Sequence, residues 1–549
     1  MIQTIRSSHG MAVAPNALAA QSALAVLRDG GNAIEAMVAA AATIAVAYPH
    51  MNGIGGDAFW LIVPPGGTPI AIDACGPAAA AASIDAYRER GLAKIPTRGP
   101  LAMNTVAGTI GGWQQALAVS TRFGGRMPLA RLLADAIGYA DEGVPVTVSQ
   151  ASATAGKRAE LESLPGFADS FLPGGHVPAP GSRFMQPKLG RVLKQLAQDG
   201  LDSYYRGALA REIAADFAAV GALLSLADLE AYRPRECAPL SVELKCGTGY
   251  NLVPPTQGVI SLAILALLER AGIESVAADG ADHIHLCVEA TKQAFGLRDA
   301  HLVDPAEMIV SPADLLAAGR LAELAAAIRL DRALPWGGKS KSGDTVWMGT
   351  VDASGLAVSF IQSIYHEYGS GVVLPSTGIN WQNRGSSFSL ERDHLLALKP
   401  GKKPFHTLNP AAARLHDGRV IVYGTMGGDG QPQTQAAVFS RYVWFDQELQ
   451  RAVSAPRWLL GRTWGQASDT LKLEGRFDPG VVADLRSRGH EVEILSDYDE
   501  TMVTPAPSCA APTASCRGRS TRARTAASPL IEAVRRKRAA PWLLRAASS

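Results

Sequence analysis

The sequence predicts an α+β fold in which two stacked, mainly antiparallel sheets lie between layers of helices. Residues 345–364 and 411–423 each show a short turn between two apolar runs, which is typical of a β-hairpin. Alanine- and leucine-rich segments at residues 15–47 and 259–268 have the composition of helices. Because sheets and helices must bury their apolar faces, hairpins between helices favour a layered arrangement.

The first elements are two helices separated by a pair of glycines. One helix is predicted over residues 15–28, and the glycines end it. Asn32 caps the second helix, with Glu35 in the capping-box position. A glycine-rich loop, residues 48–57, then leads into a strand over residues 58–63. Since this loop follows a helix and enters a strand, the reverse of a dinucleotide-binding motif, we do not expect nucleotide binding there.

The middle of the chain is mainly helical. Residues 144–250 contain no chemical motif, and a proline pair near residue 254 introduces an apolar helix over residues 259–268. A further helix is predicted over residues 283–295. These helices supply packing surfaces for the predicted sheets.

Thr345 stands where a polar, glycine-rich loop, residues 336–342, becomes a strand. Cutting the bond between Asp344 and Thr345 gives Thr345 a free α-amino group beside its own hydroxyl. An amine with an unperturbed pKa of about 7.7–8.0 can take the hydroxyl proton and make Thr345 a nucleophile. A threonine at such a junction is also a common structural residue, so the pattern alone leaves both interpretations open.

Composition indicates a soluble globular chain of one to three domains. It has 549 residues, of which 47% are hydrophobic and 19% charged. The net charge of +2 arises at the end of the chain, because residues 1–502 carry 43 basic and 49 acidic side chains. No overall basic field suggests nucleic acid as a partner. The most apolar stretch, residues 36–47, is shorter than the roughly 20 residues that span a bilayer, so no membrane partner is expected.

The number and spacing of the cysteines are typical of a reduced, cytoplasmic protein. They show no CxxC pair and no histidine spacing suited to a metal, and the N-terminus has no secretory pattern. We therefore expect neither a metal nor a cofactor. The six cysteines are Cys75, Cys237, Cys246, Cys287, Cys509 and Cys516.

Several segments stand in the order found in one enzyme family. They are residues 30–33, 49–56, 254–258, 345–352, 369–373 and 427–428. Through them the chain resembles the γ-glutamyltransferase superfamily of N-terminal nucleophile hydrolases. The resemblance implies an αββα four-layer sandwich and a proenzyme that cleaves itself between Asp344 and Thr345. A large chain, residues 1–344, and a small chain, residues 345–502, are then expected to form a heterodimer. Whether two heterodimers pair is left open.

The same resemblance assigns the reacting groups. It makes Thr345 the nucleophile. It makes the backbone N–H groups of Gly427 and Gly428 the oxyanion hole, which holds the charge that develops on the substrate carbonyl oxygen.

The positions that bind a γ-glutamyl group in the superfamily differ here. Tyr365 stands for an asparagine, Arg384 for a glutamine and Ser387 for an aspartate, and the paired serines read His406-Thr407. The aspartate that would neutralise a glutamyl ammonium is replaced by Ser387, and the glutamine near it is replaced by the cation Arg384. These changes do not favour γ-glutamyl chemistry.

Residues 343–349 and 404–410 resemble the oxamate amidohydrolase branch of the superfamily. Oxamate has a carboxylate next to its amide and no amine. Arg384 is predicted to hold that carboxylate through two hydrogen bonds. The predicted substrate-binding residues are Arg384, His406, Thr407, Ser363 and Tyr365.

Other functions stay open at this point. Within the superfamily they are a γ-glutamyltransferase or glutathione hydrolase and a glutaryl-cephalosporin-type acylase. The alternative of another class is an unprocessed, non-catalytic binding protein.

Residues 503–549 form an atypical basic tail with little periodicity. The superfamily usually continues there with Gly-His-Ala-Gly, and such codons read one nucleotide later can give the Val-Thr-Pro-Ala found here. Our interpretation is a frameshift near codon 502. The alternatives are a disordered basic tail and an RNA-binding arm.

Overall fold

The predicted layers are present in the computed structural model of the chain. Two large sheets stack face to face and helices cover both outer faces, so the predicted αββα sandwich is confirmed. The structure describes residues 4–337, 344–461, 468–499, 502, 505–511, 515–519 and 531–534.

The described strands form two large and two small sheets. The first large sheet has the order β2-β10-β11-β3-β4-β7, and the second has the order β1-β18-β17-β13-β12-β9-β8, with β19 also paired to β13. All neighbours within these two sheets are antiparallel. The strands are β1 (Thr4–Ser7), β2 (Gly10–Val13), β3 (Asp57–Val63), β4 (Ile70–Ala74), β5 (Val144–Pro145), β6 (Arg183–Phe184), β7 (Arg235–Cys237), β8 (Leu240–Leu244), β9 (Gly247–Asn251), β10 (Asp344–Asp352), β11 (Ala357–Tyr365), β12 (Ala411–Leu415), β13 (Arg419–Thr425), β14 (Trp458–Leu460), β15 (Leu471–Glu474), β16 (Val492–Leu495), β17 (Pro505–Ala511), β18 (Ser515–Arg519) and β19 (Ile531–Val534).

The helices of the described residues vary from single turns to the long α13. They are α1 (Ala17–Arg28), α2 (Ala33–Ala47), α3 (Ile84–Arg88), α4 (Thr109–Thr121), α5 (Leu129–Glu142), α6 (Val148–Leu161), α7 (Phe167–Phe171), α8 (Pro187–Asp199), α9 (Ser203–Arg206), α10 (Ala208–Val220), α11 (Leu226–Ala231), α12 (Gly258–Arg270), α13 (Ala281–His301), α14 (Pro312–Leu315), α15 (Ala318–Ala326), α16 (Gly430–Phe439), α17 (Leu449–Ser454) and α18 (Pro479–Ser487).

Side-chain alternation along the strands divides the core into three layers. On β3, Trp60 and Ile62 pack against α1, α2 and α4, whereas Phe59 and Leu61 face the second sheet. A third apolar layer joins the far side of the second sheet to α12, α13 and α16. Because both faces of β3 are covered, all of its residues are buried, and the strand is an almost continuous apolar run.

The local predictions agree closely with the structure. Asn32 and Glu35 form the predicted capping box: the Asn32 side chain accepts from the N–H of Glu35, and the Glu35 carboxylate accepts from the N–H of Asn32. The two predicted hairpins are β10–β11 and β12–β13. Each lies in a different large sheet, so the hairpins face each other across the central core.

Three strands lie in the segment that the sequence analysis treats as a basic tail. The backbone of β17 pairs with β13, β18 pairs with β1, and β19 pairs with β13. The frameshift near codon 502 stays a prediction. Among the described residues, none of the helices has both the length and the apolar character to cross a bilayer.

Candidate active site

Thr345 lies on β10, inside the first large sheet. The strand is flanked by β2 and β11, and its register with β11 shifts between Asp344 and Val346. The Thr345 side chain is fully buried, and its Oγ1 lies 3.5 Å from Nε2 of Gln431 at the start of α16. The candidate nucleophile therefore sits at an irregular strand end that faces the loop after β13. Only the backbone of Asp344 is described, so its side chain lies outside the described residues.

The loop between β13 and α16 contains the candidate oxyanion hole. Gly427 has a φ of +98° and Gly428 a φ of +48°, backbone conformations that favour glycine. Within the described part of the chain, neither glycine N–H donates a hydrogen bond to a protein group. Arg298 on α13 lies 3.1 Å from Asp429 through its Nη1 and the Oδ2, and both side chains are buried. This ion pair fixes a loop whose N–H groups stay available to a ligand.

Arg384 is a buried cation without a direct partner. Its side chain is almost fully buried, and none of its three nitrogens makes a hydrogen bond among the described residues. The guanidinium carbon lies 3.9 Å from the centre of the Tyr365 ring, a cation–π contact. Burial lowers the pKa of Arg384 from its usual value, but a guanidinium does not lose its proton in proteins. The site therefore has a buried cation whose hydrogen-bond donors have no partner among the described residues.

Tyr365 brings this cation close to the nucleophile. It ends β11 opposite Asp344, directly beside Thr345. Its φ of +81° is uncommon for a residue other than glycine. Oγ of Ser363 accepts a hydrogen bond from the N–H of Tyr365 at 2.8 Å, which supports this conformation. Ser363, which is predicted to bind substrate, thus contacts the backbone N–H of Tyr365 and helps to orient that residue.

His406 and Asp57 form a second buried group beside Arg384. His406 Nε2 lies 3.0 Å from Oδ2 of Asp57, and both side chains are completely buried. Oδ1 of Asp57 accepts from the N–H of Gly76 at 3.1 Å and from that of Gly108 at 3.0 Å. Burial raises the pKa of Asp57 to about 7 and lowers that of His406 well below its usual value. The other ring nitrogen of His406, Nδ1, has no partner among the described residues.

Gln257 connects these two groups. Its Nε2 donates to the carbonyl oxygen of Thr407 at 2.8 Å and to that of Gly428 at 2.9 Å. The hydroxyl of Thr407 is buried, and among the described residues it has no hydrogen-bond partner. Gln257 therefore holds the segment that carries His406 and Thr407 against the candidate oxyanion loop.

Three residues of the site, Asp57, Gln257 and Gln431, are not among the residues predicted from the sequence. Asp57 ends the glycine-rich loop 48–57, and Gln257 directly precedes an apolar helix, so neither position has a pattern typical of catalysis. Their roles depend on contacts with residues far away in the sequence, such as that between Asp57 and His406. The signal that the sequence offers for Asp57 is an acidic residue directly before an apolar strand.

Two groups of side chains have ligand atoms close enough together for a metal. Asp57, Cys75 and His406 place theirs within 4.8 Å of one another, but Arg384 puts a positive charge beside them, and both oxygens of Asp57 already have hydrogen-bond partners. This arrangement fits a hydrogen-bonded network better than a cation site. The other group is His285, Glu289 and His490. In this group, Oε1 of Glu289 forms an ion pair with Nζ of Lys292 at 2.7 Å. A hydrogen bond of 2.8 Å joins Nδ1 of His285 to Nε2 of His490.

Comparison with known proteins places this arrangement in a family. The oxamate amidohydrolase proenzyme of Klebsiella pneumoniae is 62% identical over 497 residues, which cover 90% of this chain and 93% of that protein. The glutathione hydrolase-like YwrD proenzyme of Bacillus subtilis is 38% identical, with 91% of this chain and 94% of that protein covered. The crystal structure of a cephalosporin acylase from Bacillus halodurans superposes with a TM-score of 0.85 at 32% identity, covering 98% of this chain and 97% of that one. Residues 19–518 match the family description gamma-glutamyltranspeptidase, and the chain therefore belongs to the gamma-glutamyltranspeptidase family.

Proposed function

We propose that this chain is a self-processing amidohydrolase that uses Thr345 to hydrolyse oxamate to oxalate and ammonia. The observation that carries the proposal is the buried guanidinium of Arg384, which has no hydrogen-bond partner among the described residues. Leaving the buried donors of a charged group without acceptors is unfavourable, and a ligand that supplies the acceptors removes this cost. A carboxylate matches a guanidinium in charge and geometry. The oxamate amidohydrolase of Klebsiella pneumoniae, 62% identical, supports the choice of this substrate.

The same site disfavours a γ-glutamyl group. Such a substrate brings an ammonium, but the nearby carboxylates among the described residues already have partners. Asp57 accepts from two backbone N–H groups and faces His406, while Asp73 lies 2.6 Å from Lys403. A small amide with one carboxylate and no amine fits these charges better.

Maturation is the first step. Oγ1 of Thr345 attacks the carbonyl carbon of Asp344, the peptide nitrogen leaves as the new α-amino group, and water opens the resulting ester. The products are chains of residues 1–344 and 345–549, which remain associated as a heterodimer.

The mature site then acts on the substrate amide. The α-amino group of Thr345 takes the hydroxyl proton as Oγ1 attacks the amide carbon, and the N–H groups of Gly427 and Gly428 hold the oxyanion. The amine passes its proton to the leaving nitrogen, ammonia departs, and an oxalyl ester remains on Thr345. Water, deprotonated by the same amine, releases oxalate and restores the hydroxyl.

Intact mass and ammonia release test this proposal together. The wild-type protein should give two chains cut before Thr345 and should release ammonia from oxamate. Thr345→Ala should stay a single chain of 57.5 kDa, whereas Thr345→Ser keeps a hydroxyl and should still be cut. Normal cutting of the alanine variant would rule out Thr345.

A substrate panel separates the alternatives within the family. Oxamate, a γ-glutamyl anilide and a glutaryl amide should be compared on the same mature sample. Faster turnover of either of the other two substrates than of oxamate would reassign the chemistry but keep the nucleophile.

A further inference from the structure

Asp57 has no role in the reaction described above, although it is completely buried within the candidate site. It is 349 residues away from His406 in the sequence, and the fold brings the two together. Lys403 neutralises Asp73, so the carboxyl group of Asp57 is the anion that acts on Arg384 from nearby. The charge on Asp57 and the substrate charge therefore compete for the same cation.

We propose that Asp57 is a positioning residue for His406, and that the Asp57–His406 pair takes up one proton when a substrate carboxylate binds beside Arg384. The inference rests on the proposed function, because it assumes that the ligand is a carboxylate. The proton comes from solvent and ends on the pair.

The pair has two hydrogen-bonding states. When Asp57 is ionised, Nε2–H of His406 donates to Oδ2, and Nδ1, which has no partner among the described residues, carries a lone pair. When Asp57 is protonated, its O–H donates to Nε2, and the ring proton moves to Nδ1, which then presents a donor. Only the second state can hydrogen-bond a carboxylate. Burial beside Arg384 keeps the imidazole itself neutral in both states, because it lowers the pKa of His406.

Charge balance links these states to the ligand. Without a ligand, ionised Asp57 offsets the charge on Arg384. A bound carboxylate supplies that negative charge itself, and a second anion beside it would be unfavourable in a buried site. Protonation of the pair keeps the site neutral and turns Nδ1 into a donor. Burial raises the pKa of Asp57 to about 7, so the exchange falls within the working pH range.

Other ionisable groups surround the pair. Cys75 stays a neutral thiol because burial and the nearby carboxylates raise its pKa, and burial also raises the pKa of Tyr204 and Tyr205. Asp73 is paired with Lys403. The α-amino group of mature Thr345 has an unperturbed pKa of about 7.7–8.0 and can also respond to a carboxylate. A test must separate this amine from the pair.

Asp57→Asn provides that separation. An asparagine can keep accepting from Gly76 and Gly108 through its oxygen, and its NH₂ can donate to Nε2 of His406. This arrangement fixes the donor state of Nδ1 without a titrating proton, and it leaves Thr345 unchanged. The variant should bind a carboxylate but take up no proton at this position.

The experiment is calorimetric titration of the mature proteins with pyruvate, in which a methyl group replaces the amide nitrogen of oxamate. Titration in two buffers of different ionisation enthalpy gives the number of protons taken up. At pH 8.5 the wild type should take up about one proton more than Asp57→Asn, and at pH 6 the difference should vanish. Between pH 7.5 and 8.5 the wild-type Kd should weaken about tenfold more than that of the variant, as expected for one linked proton.

Equal proton numbers in the two proteins would overturn the inference. Should Asp57→Asn not mature, His406→Gln takes its place: its amide can pair with Asp57 in either protonation state but offers no Nδ1 donor, so the Kd for pyruvate at pH 6 should weaken about tenfold or more. A Kd equal to that of the wild type would contradict the proposal there. Ammonia release from oxamate is measured on the same samples. Ammonia release without a difference in proton uptake between the proteins rejects only the role of Asp57. If the wild type neither binds pyruvate nor releases ammonia, the carboxylate site and the proposed function are rejected together.

Discussion

The two halves of the candidate site are built in different ways. The reaction half consists of Thr345 and the loop of Gly427 and Gly428, and it offers a hydroxyl and backbone N–H groups. The recognition half consists of Arg384, the Asp57–His406 pair and Thr407, and it offers charged and polar side chains. A backbone N–H group is present whichever side chain the residue carries, whereas the donors and charges of side chains change with each substitution. This difference explains how one fold can keep its chemistry while its substrate changes, and it predicts distinct effects of substitutions in the two halves.

Damage to the reaction half should have the largest effect. Gly427→Ala forces a side chain into a φ of +98° and shifts the N–H that holds the oxyanion. We expect kcat to fall by about 10²–10³, the usual loss of one oxyanion donor, with KM little changed. Steady-state kinetics on oxamate measure this. Gly355→Ala is the matched control, because Gly355 has a φ of +87° in the turn between β10 and β11, away from the site. An equal loss in the control would attribute the effect to backbone strain alone.

Damage to the recognition half should leave maturation intact. Arg384→Lys keeps the positive charge but loses the planar guanidinium, which can donate two hydrogen bonds to one carboxylate. We expect kcat/KM for oxamate to fall about 10–100-fold, since a hydrogen bond to a charged group contributes roughly 1.5–3 kcal/mol, while chain cutting proceeds at the wild-type rate. Gel analysis of cutting and ammonia assays give both numbers. Arg392→Lys, at an exposed ion pair with Asp85, is the control. A block in maturation would contradict the division into halves.

A substitution at the connection between the halves should have a smaller, mixed effect. Gln257→Leu removes the donor to Thr407 and Gly428, and each lost bond contributes about 1 kcal/mol. We expect kcat/KM to fall by about five- to thirtyfold, shared between a lower kcat and a higher KM. A change confined to KM would place Gln257 in the recognition half only.

Maturation of His406→Asn should show the smallest effect. Because the proposed self-cleavage by Thr345 needs no substrate carboxylate, the rate of cutting should stay within about twofold of the wild type, while the KM for oxamate rises. Intact mass over time measures the rate. Loss of cutting in a folded variant would give His406 a role in the reaction half.

Local patterns made the hairpins and the capping box predictable, because each depends on residues close together in the sequence. The prediction for Thr345 has the same basis, the junction of loop and strand, and the role of Thr345 stays a prediction. The family resemblance suggests Arg384 as a substrate contact, which also stays a prediction. The lack of a hydrogen-bond partner for its guanidinium among the described residues depends on the fold, so the sequence does not show it. The pairing of Asp57 with His406 was also hidden, because strand register and loop packing bring together residues that share no local pattern.

The position of β10 in its sheet has a consequence for a processed enzyme. With the proposed cut before Thr345, the strand is hydrogen-bonded to β2 of the large chain and to β11 of the small chain, and β12 of the small chain pairs with β9 of the large one. In both large sheets, strands of the small chain thus lie between strands of the large chain. Separation of the chains would require both sheets to come apart, so it would amount to unfolding. Activity per molecule should therefore not fall on dilution, and the cut protein should behave kinetically as one molecule rather than as two partners in equilibrium.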